Sequence, residues 1–161
     1  NRRQTKYFSK DKIPSKGLIE DILKSTVYLT PSKQNFMPWK IIVLGPDKVK
    51  EKEALFRMAE GSDTPHEYEE NKNIQVFAPY VFIYTMRLSF PNDHALFLKD
   101  QGYDVPACNP DKYFDTTCQQ TASIEIGMSA SILTYMCRNA GLDIGYLLCF
   151  KKWGFTKKDI A

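Results

Sequence analysis

The order of elements in this 161-residue chain predicts an α+β (or α/β) layered domain. Apolar runs of strand length occupy 39–44, 80–86 and 144–150. Stretches of helical periodicity alternate with them, giving helix, strand, helix, strand, long helix, strand. The longest helical stretch is apolar on two faces, as a helix covered on both sides should be. A chain of this length, with 43% hydrophobic and 25% charged residues, suffices for a single domain with a real core.

Each element has its own signal. Ser15 is a candidate N-cap, and Leu18, Ile22 and Leu29 with Ile19, Leu23 and Val27 recur at helical spacing until Pro31 ends the helix. The β-branched run 39–44 is stopped by Gly45 and Pro46 and reads as a buried strand. A charged surface helix follows over 47–59, with Leu55, Phe56 and Met58 near its end, and then a polar loop over 61–70. Residues 80–86 read as a central strand. The stretch 90–114, rich in Pro, Asp, Asn and aromatics, is a long excursion, a kind of segment that is usually functional or disordered. In the long helix, Ala122, Ile126, Ala130, Leu133, Cys137 and Ala140 mark one face, and Ile124, Met128, Ile132 and Tyr135 another. Gly141 is placed to cap it. Pattern alone leaves open whether the second face meets the chain's own core or a partner subunit.

Composition narrows the function classes. Net charge is only +3, with basic residues concentrated at 2–12, 48–52 and 151–158, so nucleic acid is not an expected partner. No apolar run approaches the roughly 20 residues needed to cross a bilayer, and no signal-peptide pattern opens the chain. Cys108, Cys118, Cys137 and Cys149 form no Cys-x-x-Cys pair, which argues against a zinc or thioredoxin-type site and fits a reducing, cytoplasmic setting. His66 and His94 lie in polar stretches and offer little to a metal or a general base.

Two short segments carry chemistry. Arg2, Arg3 and Lys6, followed at once by Tyr7 and Phe8, concentrate phosphate-binding donors at one point, although a charge run taken alone is more often a solvated tail. The second segment is Thr30-Pro31-Ser32-Lys33-Gln34-Asn35-Phe36-Met37-Pro38-Trp39.

Together these segments resemble the FMN-dependent nitroreductase family. Arg2, Arg3, Lys6 and Phe8 match that family's opening pattern, with Gln4 where Ser is usual. Pro31, Ser32, Asn35, Pro38 and Trp39 match its second pattern, with Met37 where Gln is usual, and the resemblance continues through Gly141-Leu142-Asp143. It implies a nitroreductase-like fold, with a central, mostly antiparallel sheet flanked by helices, in an intertwined homodimer that holds flavin between subunits. Arg2 and Arg3 would then contact the FMN phosphate, Gln4 would supply an amide in place of a hydroxyl, and Lys6 would lie near the N1–C2=O edge of the ring. Pro31, Ser32, Lys33 and Asn35 would reach across the flavin from the other subunit. Asn71 would approach the pyrimidine edge, a position for which Asn73 competes, although either is more readily read as a plain loop asparagine. Backbone of Tyr146, Leu147, Leu148 and Cys149 would lie against the N5–C4=O side. Pro38 and Trp39 are expected to be structural.

The implied activity is FMN-dependent NAD(P)H oxidation, in which hydride passes through flavin N5 to a nitroaromatic, quinone or similar acceptor. No protein acid or base is required, because the cofactor carries the chemistry. The chain is expected to lack the family's N-terminal helix and its C-terminal, dimer-exchanged strand. Two alternatives stay open: a specialised branch that fragments flavin or dehalogenates, with 90–114 as a substrate lid, and a degenerate flavin-binding protein without catalysis.

Overall fold

The computed structural model describes residues 5–33, 37–59, 73–86, 93–104 and 116–148, without the side chains of 93–95 and 116–119. The described elements are α1 (Lys16–Leu29), β1 (Trp39–Leu44), α2 (Val49–Met58), β2 (Val81–Met86), α3 (Asp93–Asp100) and α4 (Thr116–Asn139). A 3-10 turn at Ile74–Phe77 precedes β2. β1 and β2 pair in a two-stranded antiparallel sheet, and with the helices this makes an α+β fold. The chain divides into two compact units. One comprises Asn1–Ser15, Val43–Ile83 and Gly141–Ala161, and the other Lys16–Ile42 and Tyr84–Ala140.

In the second unit α1 packs against α4. Ile19, Ile22 and Thr26 form the buried stripe of α1 at helical spacing. Thr26 can be fully buried because its Oγ1 donates to the Ile22 carbonyl at 2.8 Å, so no polar group is left without a partner by its burial. The inner face of α4 consists of Ala122, Glu125, Ser129, Leu133 and Cys137. This differs from the expected face at its centre. Ile126 and Ala130 are half-buried, and the polar Glu125 and Ser129 take the buried positions. The second apolar face is open in the single chain, with Ile124 64% and Tyr135 66% exposed. Gly141 follows the helix at φ 74°, the left-handed geometry a C-terminal cap requires.

In the first unit α2 packs on the 3-10 turn, where Phe56 and Phe77 lie 5.2 Å apart between ring centroids. Leu55 and Val76 are buried beside them. Lys52 is only 4% exposed, and its Nζ donates to the carbonyls of Ala78 at 2.7 Å and Pro79 at 2.9 Å. Burial pushes its pKa down, and the Asp47 carboxylate opposes the shift. These two bonds fix the chain just ahead of β2. Asn73 begins the turn at φ 40°, a conformation that asparagine tolerates better than most residues.

Three expectations change. The 90–114 excursion contains a helix, α3, rather than being irregular throughout. α2 starts at Val49, not at 47. Residues 142–148 form no regular strand, and the sheet among the described residues consists of β1 and β2 alone. The 61–70 loop and residues 149–150 lie outside the described residues.

Replacing Lys52 tests the buried cation. Lys52→Met keeps the apolar stem and orphans two carbonyls, so it should cost about 1–3 kcal/mol for each, read as a lower midpoint in urea. Because the native pKa lies below the unfolded value of 10.5, the wild type should also gain stability as pH rises toward 10.5, an increment the variant lacks.

Candidate functional site

The segment that leaves α1 is built from backbone outward. Thr30 N–H donates to the Thr26 carbonyl at 3.0 Å and Thr30 Oγ1 donates to the same oxygen at 2.6 Å, which closes the helix. Pro31 cannot continue it. Ser32 Oγ then accepts the Met37 N–H at 2.7 Å and ties the segment's two ends together. Met37 sits at φ 45°, unusual for a residue with a side chain and worth about 1–3 kcal/mol of strain. Its N–H makes the bond to Ser32 Oγ in that conformation.

Further support for the passage into β1 comes from α4. The Lys33 N–H donates to Glu125 Oε1 at 2.9 Å. One turn along the same helix face, Ser129 Oγ and Tyr84 Oη share a hydrogen bond of 3.0 Å. The Tyr84 ring packs on Trp39 at 5.9 Å between centroids, and Trp39 is 2% exposed. The two polar residues on the inner face of α4 therefore support both ends of the passage from α1 to β1. Trp39 is a core residue, as expected, and Pro38 is buried beside it. Glu125 Oε2 is also buried and has no hydrogen-bond partner among the described residues.

Pro31 borders an open, largely apolar groove of about 620 Å³, whose other walls are Ile124, Gly127, Met128, Ser131 and Ile132 on the outer face of α4. Pro31 and Lys33 are exposed and Ser32 is half-buried. Because Ser32 Oγ accepts from Met37, its own hydroxyl hydrogen remains available to donate.

The other expected site residues divide between the units. Lys6 is exposed, and Tyr146 and Leu147 are half-buried, while Leu148 is 88% exposed; all four belong to the first unit. Pro31, Ser32 and Lys33 belong to the second. Arg2, Arg3, Gln4, Asn35, Asn71 and Cys149 lie outside the described residues. Glu125 was not among the expected residues. Its signal was a lone carboxylate within an apolar helical stretch, between Ile124 and Ile126.

No cluster of metal-ligating side chains occurs among the described residues, and none of their helices is long and apolar enough to cross a membrane. Cys137 is a free, buried thiol on the inner face of α4, and burial raises its pKa to about 11. It is therefore a packing residue, not a nucleophile.

Comparison with known proteins gives a consistent picture. A nitroreductase family model matches residues 1–152. No curated protein matches the chain. Among solved structures, a nitroreductase-type protein from Exiguobacterium sibiricum in complex with FMN superposes with a TM-score of 0.66 at 19% identity, covering 94% of this chain and 72% of that one. A nitroreductase family protein from Streptococcus pneumoniae gives 0.59 at 22% identity, over 94% and 74% of the two chains. The NfrA1 nitroreductase from B. subtilis gives 0.59 at 15% identity, and there the chain spans only 49% of its neighbour's length. At these identities the likeness is one of fold.

The thiol assignment is checked by alkylation. Iodoacetamide at pH 8, read peptide by peptide, should leave Cys137 unmodified in the native protein and label it in urea. Because the native thiol keeps its proton to about 11 while the unfolded one loses it near 9.0, stability should fall across that interval relative to Cys137→Ala.

Proposed function

Because the chain belongs to the nitroreductase family, we propose that it is a flavin-dependent oxidoreductase that binds FMN, takes reducing equivalents from NADH or NADPH, and delivers them to a small electron-poor acceptor such as a nitroaromatic or quinone. The observation that carries the reading is the segment at 31–33, held rigid from behind by Glu125 and Ser32 yet turned to solvent in front. A binding surface needs that combination of fixed backbone and free front.

The donor set fits an anionic cofactor with a flat ring. Arg2 and Arg3 offer planar forks for a phosphate, and Gln4 an amide donor. The exposed Lys6 supplies a cation that would stabilise negative charge at the pyrimidine edge. The Ser32 hydroxyl and the Asn35 amide can donate to ribityl or ring oxygens, and Lys33 adds a second exposed cation. Asn71 is a further candidate at the pyrimidine edge. The backbone of Tyr146, Leu147, Leu148 and Cys149 is assigned to the N5–C4=O side of the ring, and the exposed Leu148 offers that ring an apolar surface. Bound FMN supplies the redox chemistry. The chain's own residues bind, orient and screen from water, and none is assigned as an acid or base.

A homodimer belongs to the same reading. The open second face of α4 and the apolar groove beside Pro31 support it, because such a surface on a lone domain calls for cover.

A visible spectrum of the purified protein with added FMN is the direct test. Flavin bands that bleach with NADH or NADPH and return with a quinone or nitroaromatic are the expected result. No binding of FMN, or binding without nicotinamide oxidation, would overturn the oxidoreductase reading. The double variant Arg2→Ala/Arg3→Ala should weaken FMN binding by about tenfold or more, as loss of charge-assisted phosphate contacts implies. Unchanged affinity would remove the phosphate assignment.

A further inference from the structure

We infer that Glu125 is the positioning residue for the cofactor-facing segment, an inference that rests on the flavin reading above. Its carboxyl is 3% exposed, on a helix face otherwise made of small and apolar groups apart from Ser129. Burying a carboxyl group is costly unless its oxygens are used. One oxygen is used across a long sequence distance, for the N–H of Lys33. The Lys33 N–H belongs to the peptide that joins it to Ser32, whose side chain the flavin reading assigns to hydrogen bonding. Fixing that one N–H therefore sets the direction in which the segment presents its donors.

The geometry separates this role from general core packing. Leu133, two turns along the same face, is as buried as Glu125 and makes the core contacts a structural residue makes. Glu125 adds a directed bond to a segment that α1 has already released at Pro31. Its second oxygen, buried with no partner among the described residues, is a further acceptor held at the segment's base. Glu125 touches neither substrate nor cofactor in this account, and acts through the Lys33 peptide.

The experiment compares Glu125→Ala, Glu125→Gln and Leu133→Ala in the full chain, each under conditions where circular dichroism shows it folded. Two quantities are read: FMN affinity by quenching of flavin fluorescence, and amide hydrogen exchange of peptides covering 30–38 without FMN. Glu125→Ala should speed exchange in that segment and weaken FMN binding about tenfold, on the order expected when a single buried hydrogen bond to a binding segment is lost. Leu133→Ala should destabilise the protein overall while leaving FMN affinity within about twofold once folded. Glu125→Gln, which retains an oxygen for the Lys33 N–H, should recover most of the loss on both measures. If Glu125→Ala matches Leu133→Ala in both readouts, or if Glu125→Gln recovers nothing, the positioning role is overturned. If the unsubstituted chain fails to bind FMN, the flavin reading falls, and hydrogen exchange still decides whether Glu125 holds the segment.

Discussion

A carboxyl group buried against a helix of mostly small and apolar residues is the constraint on which the second unit depends. Glu125 tolerates that position because the turn after α1 brings it a backbone N–H. The dependence runs both ways. Pro31 ends α1, so the backbone that follows has no intrahelical partners, and a buried acceptor one helix away replaces them. Ser129 repeats the arrangement a turn later through Tyr84, which packs on Trp39 at the start of β1. The path from α1 into the sheet is thus set by two polar residues spaced four apart on α4.

The first unit solves the matching problem with a donor in place of an acceptor. Ahead of β1, backbone donors are taken up by a buried carboxyl group. Ahead of β2, backbone acceptors are taken up by the buried ammonium of Lys52. At Lys33 in the one case, and at Ala78 and Pro79 in the other, a backbone group ahead of the strand is bonded to a side chain. A long polar side chain from a neighbouring helix supplies the partner. Such devices concentrate stability in a few polar contacts, where removing one partner costs more than the contact is worth in isolation.

Much of the architecture was legible in the sequence. β1 and β2 announced themselves as short apolar runs, the first with a Gly-Pro stop. α1 and α4 did so through period and through Pro31 and Gly141, where proline forbids continuation and glycine accepts positive φ. The helix at Asp93–Asp100 was not legible, because it is short and its apolar residues are too few to show a period. The run at 144–148 carried a strand's composition without a strand's pairing, since pairing belongs to the neighbour as much as to the segment. On α4 the period was right and the buried centre was displaced, because apolar residues flank Glu125 and Ser129 on both sides and hydrophobicity alone favours the flanks.

The sequence by itself determined α1, β1, α2, β2 and α4 in their order, and the family. Those rest on local signals: residue types that set backbone angles, and short motifs whose residues are close together in the chain. Only the tertiary structure decided that a carboxyl group and a serine belong at the centre of α4, and that the segment matching the family's second motif hangs from them. A buried polar residue is favourable or ruinous according to the partner it meets. Glu125 meets Lys33 from far away along the chain, across a distance that no local pattern spans.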